Sequence, residues 1–222
     1  MKKLFSIIAV MALLSSMIAF NGCNKEDTTK PSLSLLGSAN AEIVLNGGSY
    51  QDPGCTAQDD VDGDLTASII VTGSVDADHA ATYTITYTVT DKAGNSNSVD
   101  RTVRVFNQAE VLQGTYNVID STAGDPNFPY IETVTPSTTI NNQILLGKFA
   151  GYSPCVVYGN KIGLTMTIPS QLVVNVGSPA ADRTFASQSS SIVIGTNVSM
   201  VIRYSETTNG STVYGKGTYT KQ

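Results

Sequence analysis

The chain has 222 residues, 41% of them apolar, with 13 basic and 18 acidic side chains and a formal net charge of −5. That length suits one large or two small domains, and the acidic balance argues against a nucleic-acid or anionic-lipid surface, each of which needs a basic footprint. A lone histidine and the absence of tryptophan narrow the available chemistry further.

Residues 1–22 open with Lys2 and Lys3, followed by an apolar run from Leu4 to Phe20 broken only by serines. This is the layout of a secretory signal peptide. The 17-residue run is at the short end for a bilayer span, and no stop-transfer pattern follows it. Gly22–Cys23 resembles the lipobox of bacterial lipoproteins, with Phe20 and Asn21 departing from its commonest residues. The resemblance implies cleavage before Cys23 and acylation of that residue. At about 0.8 kcal/mol per buried methylene, several acyl chains hold a protein on a membrane without a spanning helix. Residues 23–30 then form a lipidated tether. Within it Lys25, Glu26 and Asp27 resemble the signal that sends Bacteroidota lipoproteins to the outer face of the outer membrane, so that location is expected. Removing residues 1–22 takes two lysines and no acids, leaving 11 basic against 18 acidic side chains, a net charge of −7. Cys55 and Cys155 fall in different predicted domains and read as buried free thiols.

Beyond residue 30 no sustained 3.6-residue apolar period occurs, whereas period-2 alternation recurs between Gly, Asn and Asp punctuation. In "TYTITYTVT" (82–90) Tyr83, Ile85, Tyr87 and Val89 share one face and five threonines the other. "DKAGN" (91–95) turns the chain, and Val99, Val103 and Val105 share a parity on the return. Upstream, "LSLL", "EIVL", "GCTA" and "SIIVTG" supply short strands at sandwich-like spacing. The order Gly48, Tyr50, Asp52-Pro53-Gly54, Ala57, Asp62-Gly63-Asp64, Tyr83, Tyr87, Asp91, Gly94-Asn95 and Arg101 resembles the bacterial immunoglobulin-like domain DUF5011. An Ig-like β-sandwich is therefore expected over residues 31–107.

The same segment holds "DDVDGDLT" (59–66), four aspartates in six positions. It does not follow the EF-hand spacing, since Gly63 precedes Asp64 and position 12 counted from Asp60 is Val71. The clustered carboxylates can cap turns. Alternatively, Asp59, Asp60, Asp62 and Asp64, joined by Asp91, can hold a structural Ca²⁺ that braces the sandwich. The resemblance implies that this acidic pattern belongs to the domain type.

After the connector "NQAEV", residues 112–222 alternate again, with Val198, Met200, Ile202 and Tyr204 in one run and Leu164, Met166 and Ile168 in another. The expected fold is all-β: the Ig-like sandwich followed by a second antiparallel β-sandwich or partly closed barrel. This part is similar to the DUF5012-like C-terminal domains of Sus-type accessory lipoproteins.

No nucleophile motif, metalloprotease helix signature, C-x-x-C or phosphate-binding loop occurs, and His79 lies in a predicted loop without a catalytic partner. Asp120, Asp125, Glu132, Asp182 and Glu206 are assigned mostly to strand ends or turns. The chain reads as non-catalytic. Binding is the better class, because exposed aromatics give carbohydrate or peptide sites their apolar platform. Phe128 and Tyr130 stand in an expected Pro-rich loop, "DPNFPYIE", where Pro126 and Pro129 argue against a central strand, and Tyr152 follows in "KFAGY". These three are the candidate ligand residues. The expected role is a surface lipoprotein whose distal domain binds a glycan or peptide as accessory to a Sus-type importer. The alternative is a structural or adhesive protein whose distal domain binds another protein.

Overall fold

A computed structural model describes residues 26–122 and 125–222; Cys23, Lys25 and the expected signal peptide lie outside the described residues. The first seven strands are β1 (Ser32–Leu35), β2 (Asn40–Val44), β3 (Cys55–Asp59), β4 (Gly63–Asp64), β5 (Ile70–Thr72), β6 (Thr82–Thr90) and β7 (Ser96–Phe106). They form a three-stranded sheet in the order β1-β3-β4 and a four-stranded sheet in the order β2-β7-β6-β5. The alternation of β6 is realised as read: Ile85, Tyr87 and Val89 are buried while Thr82, Thr84 and Thr90 are exposed. The 91–95 turn closes through the Asp91 N–H, which donates to the Asn95 carbonyl at 3.0 Å. On β7, Val103 and Val105 are buried, and so is Arg101, which shares their parity. An arginine occupies this core position because the Asp52 carboxylate pairs with its guanidinium.

The described chain divides into two compact units. The first collects the described residues up to Leu36 with Gly54–Val71 and Tyr87–Val99; the second collects Gly37–Pro53, Thr72–Thr86 and Asp100–Gln222. In the first, β1 pairs antiparallel with β3, Leu33 opposite Ala57, and β3 buries Cys55, Ala57 and Asp59 while exposing Thr56 and Gln58. In the second, β2 runs parallel to the end of β7, Asn40 opposite Thr102. The connector is anchored within this unit. Buried Asn107 donates its amide to the carbonyls of Ser137 (2.8 Å), Ile140 (3.0 Å) and Gln143 (3.0 Å), and its Oδ1 accepts from the N–H groups of Ala109 and Asn142.

The rest of the second unit comprises β8 (Gly114–Thr122), β9 (Asp125–Pro136), β10 (Gln143–Leu146), β11 (Val157–Ile162), β12 (Thr165–Thr167), β13 (Gln171–Val176), β14 (Ala181–Val193), β15 (Ser199–Thr208) and β16 (Ser211–Lys221). They form one antiparallel sheet in the order β12-β11-β10-β9-β8-β16-β15-β14-β13. The first and last strands pair at its centre, Val118 opposite Tyr219. The sheet curls until the chain around β12 meets β14. There the Ser187 N–H donates to the Ile168 carbonyl (2.9 Å) and the Ile192 N–H to the Leu164 carbonyl (2.8 Å). The result is a half-barrel, the partly closed form of the two expected.

Its interior is lined by residues of one parity per strand: Tyr116 and Val118 on β8, Met200, Ile202 and Tyr204 on β15, Tyr219 on β16, with Phe149 and Phe185 between them. Met166 and Ile168 join this core, but Leu164 of the same alternating run is 60% exposed. Cys55 and Cys155 are both buried. No helix of the described residues is long and apolar enough to cross a membrane.

One expectation is corrected. The Pro-rich segment carrying Phe128 and Tyr130 is a strand, β9, inside the sheet order. The prolines are tolerated because β10 pairs only with Val134–Pro136, leaving residues 125–133 with β8 as sole partner. On the open side a missing N–H breaks no ladder.

Candidate functional site

Strand register sets up the site. Asp120 follows Tyr116 and Val118 at the same parity, and it stands opposite Phe128 on β9 and Gly217 on β16. Glu206 follows Met200, Ile202 and Tyr204 at the same parity on β15. Both acids therefore point into the half-barrel and are almost wholly buried. The turn Phe149–Gly151 covers this end of the interior. It needs a glycine at 151, where φ is +77° and a Cβ would stand 2.6 Å from the Phe128 ring. Together Asp120, Thr122, Phe128, Ala150, Gly151, Tyr152 and Glu206 line an open pocket of about 200 Å³.

Of the three aromatic residues expected to contact ligand, Phe128 is 46% exposed and forms one wall. Tyr152 forms another; its hydroxyl donates to Glu206 at 3.0 Å and the Arg183 guanidinium stacks on its ring at 4.4 Å. Tyr130 lies deeper, packed on the core with its hydroxyl 3.4 Å from that of Tyr219, and supports the ring of Phe128 at a centroid separation of 6.2 Å. Two of the three thus border the pocket, and the third is its underlay.

The sequence reading missed the acids. Asp120, Glu132 and Glu206 are buried side chains within strands rather than solvated turn residues. The signal was present in their parity with neighbouring core residues. Glu206 is satisfied by an ion pair with Arg183 and by Tyr152. Glu132 accepts the N–H groups of Thr133 (3.0 Å), Gly147 (2.9 Å) and Lys148 (3.0 Å), which fixes the approach to the covering turn. Asp120 is different. Its Oδ1 accepts from the Tyr204 hydroxyl at 2.8 Å, whereas its buried Oδ2 has no partner. Burial pushes the Asp120 carboxyl above its ordinary range, against the opposing Tyr204 hydrogen bond, and the charge of Glu206 adds to the rise. Burial also raises the Tyr152 hydroxyl and the Cys155 thiol to about 12, so neither supplies a nucleophile at neutral pH.

A raised carboxyl makes the folded chain bind more protons than the unfolded one between the two titration points, so stability falls as pH rises from the ordinary value of 3.8 through the folded one. Asp120→Asn keeps the acceptor for Tyr204 without the charge. The variant is expected to be more stable than wild type at neutral pH, with an advantage that shrinks as pH falls toward 3.8. Urea midpoints across that range check this.

The aspartates of the acidic turn separate into two groups. Asp62 accepts from the Lys92 N–H at 2.7 Å and from Lys92 Nζ at 2.9 Å; the backbone hydrogen bond, then the ammonium contact, hold its carboxyl below the usual range. Asp64 accepts from the Thr66 N–H at 2.9 Å; the Thr66 side chain, and then this N–H, lower its carboxyl. Asp91 accepts from the Asn95 N–H (2.7 Å) and side-chain amide (2.8 Å). These three are turn-capping groups. Asp59 and Asp60 instead meet Asp27, one carboxylate oxygen of each lying within 4.8 Å of the others. Glu26, beside Asp27, borders the same cleft. His79 is exposed in its loop, 3.6 Å from Asp76.

Residues 33–105 match the family model described as bacterial surface protein, Ig-like domain. Among solved structures the chain is similar to a lipoprotein from Bacteroides thetaiotaomicron, at 18% identity and a TM-score of 0.34, covering 86% of this chain and 100% of that one. It is also similar to a structure of CBM51-2 in complex with GlcNAc and INT domains from Clostridium perfringens ZmpB, at 13% identity and a TM-score of 0.30, covering 86% of this chain and 44% of that one. No curated protein matches the chain. Likeness at this level says nothing of what the chain binds.

Proposed function

We propose that this is a non-catalytic surface lipoprotein whose Ig-like domain presents the half-barrel, and that the pocket beside Phe128 captures a glycan or peptide for a Sus-type importer. The observation that carries the reading is the pairing of a half-exposed aromatic ring with Asp120, a buried acid that has one unbonded oxygen. Once a small shift of the pocket wall uncovers that oxygen, a sugar hydroxyl or peptide N–H can donate to it while the apolar face of the ligand lies on the ring. The non-catalytic part rests on the environment of the acids, since Glu206 is held by Arg183 and Tyr152 and no histidine, lysine or serine lines the pocket among the described residues. The surface part rests on the match of residues 33–105 to a bacterial surface domain. The outer-membrane anchor at Cys23 and its Lys25, Glu26, Asp27 address rest on the sequence.

A second reading, a structural or adhesive protein, draws on the outward faces of Ile119 and Ile131, 51% and 53% exposed on neighbouring strands. An array of glycans and peptides probed with the full chain separates the two. Binding is expected, and Phe128→Ala should weaken it roughly tenfold, the value of a lost ring contact. Leu164→Ala, an exposed side chain that forms no wall of the pocket, should leave it unchanged. If the array is silent, or if Phe128→Ala binds as wild type does, ligand capture in this pocket is wrong.

A further inference from the structure

We propose that Asp27, Asp59 and Asp60 hold a Ca²⁺ ion that fastens the segment leading into β1 to the β3–β4 turn. The inference is independent of the pocket on the half-barrel. Its ligand set differs from the one legible in the acidic stretch, because Asp62, Asp64 and Asp91 are committed to Lys92, Thr66 and Asn95. The turn itself orients Asp59. Its Oδ1 accepts the N–H groups of Val61 and Asp62, each at 2.9 Å, while Oδ2 is buried without a partner. Asp59 is only 4% exposed.

Asp27 repeats the arrangement from the other side. Its Oδ1 accepts the Thr29 N–H at 3.0 Å, its carbonyl accepts the Asn95 side-chain amide at 3.1 Å, and its buried Oδ2 has no partner. Two orphaned carboxylate oxygens thus sit in one three-acid cluster. Such groups repel one another and have lost their water, a combination that a cation reverses. Lys92, which reaches Asp62, does not border this cleft, and among the described residues its lining has no lysine or arginine.

Asp27 and Asp60 border a cleft of about 280 Å³ with Glu26, Thr28, Thr29 and Val61, while Asp59 lies beneath it, so further oxygens and water can fill a coordination shell. An all-oxygen site assembled from chain segments about 30 residues apart suits Ca²⁺, which accepts irregular geometry, better than Mg²⁺, which demands a compact octahedron. If Cys23 carries the anchor, only three residues separate it from the clamp, and the cation would fix how closely the domain sits to the membrane.

The test is thermal unfolding of the purified full chain in EDTA, CaCl₂ and MgCl₂, with hydrogen exchange followed over residues 26–36. Ca²⁺ at a hundredfold excess over its Kd should raise Tm by roughly 5 °C and slow exchange at Thr28 and Thr29; Mg²⁺ should do less. Asp59→Asn and, as a second variant, Asp27→Asn should each abolish both effects, whereas Asp62→Asn should retain them. The proposal is overturned if wild type does not respond to Ca²⁺, if Asp59→Asn or Asp27→Asn still responds, or if Asp62→Asn loses the response.

Discussion

Replacing Glu206 with alanine is expected to destabilise the half-barrel by about 3–5 kcal/mol, the usual cost of removing one partner from a buried ion pair. Arg183 and Glu206 are 12% and 4% exposed at their side chains, so water cannot take over the role of the lost carboxylate. The guanidinium keeps one neutral acceptor, the Val176 carbonyl at 3.2 Å, and its stacking on Tyr152. Neither balances a charge. The Tyr152 hydroxyl loses its acceptor as well, adding about 1 kcal/mol or more. A lowered urea midpoint at unchanged slope is the expected measurement. The double variant Arg183→Met, Glu206→Leu removes both charges and should recover most of the loss. If Glu206→Ala lies within 1 kcal/mol of wild type, the pair is not the brace described.

The strands of the Ig-like domain were legible because their information is local. The alternation of β6, its five outward threonines and the 91–95 turn need only neighbours in sequence. The faces of β15 and β8 were equally readable, and parity would have extended them to Glu206 and Asp120 had acids been admitted to core positions. What lay beyond reach depends on register between distant strands. Tyr204 meets Asp120 across 84 positions, and Asn95 meets Asp27 across 68. No spacing rule joins such residues before the sheet order is known. Phe128 and Tyr152 were both read as ligand residues from their chemistry; the loop expected around Phe128 is instead a strand, although, as Pro126 and Pro129 indicated, it is not a central one there, having β8 as its sole partner. Arg101 was noted only as part of a resemblance, although its parity with Val103 and Val105 puts it in the core. Within the acidic stretch, density of aspartates does not show which carboxylates meet, since four of the five accept nearby N–H groups and only Asp59 and Asp60 come together with Asp27.

Phe149→Ala should cost about 3–5 kcal/mol, as large-to-small changes at fully buried aromatic positions do. Phe149 has no exposed surface and is the residue by which the turn covering the pocket enters the core. Its ring meets Phe185 at 5.3 Å and Tyr204 at 4.9 Å, both edge to face, contacts worth about 0.5–1.5 kcal/mol each beyond the area they bury. The site has little freedom to collapse. Tyr204 is held by its hydrogen bond to Asp120 and abuts Gly215, where any Cβ would collide with its ring. Phe185 is held between Phe149, Tyr152 and Tyr204. A cavity should therefore persist, and the backbone of 149–151 should lose its anchor. That links stability to the pocket, because Ala150, Gly151 and Tyr152 line it. Phe149→Ala is thus expected to weaken ligand capture more than Phe128→Ala does, even under conditions where the variant remains folded. Phe149→Leu, which refills most of the volume, should restore the greater part of both losses. Should Phe149→Ala unfold at the wild-type urea midpoint, the turn is not fastened through this ring, and the pocket wall must be held by Glu132 and its three N–H donors alone.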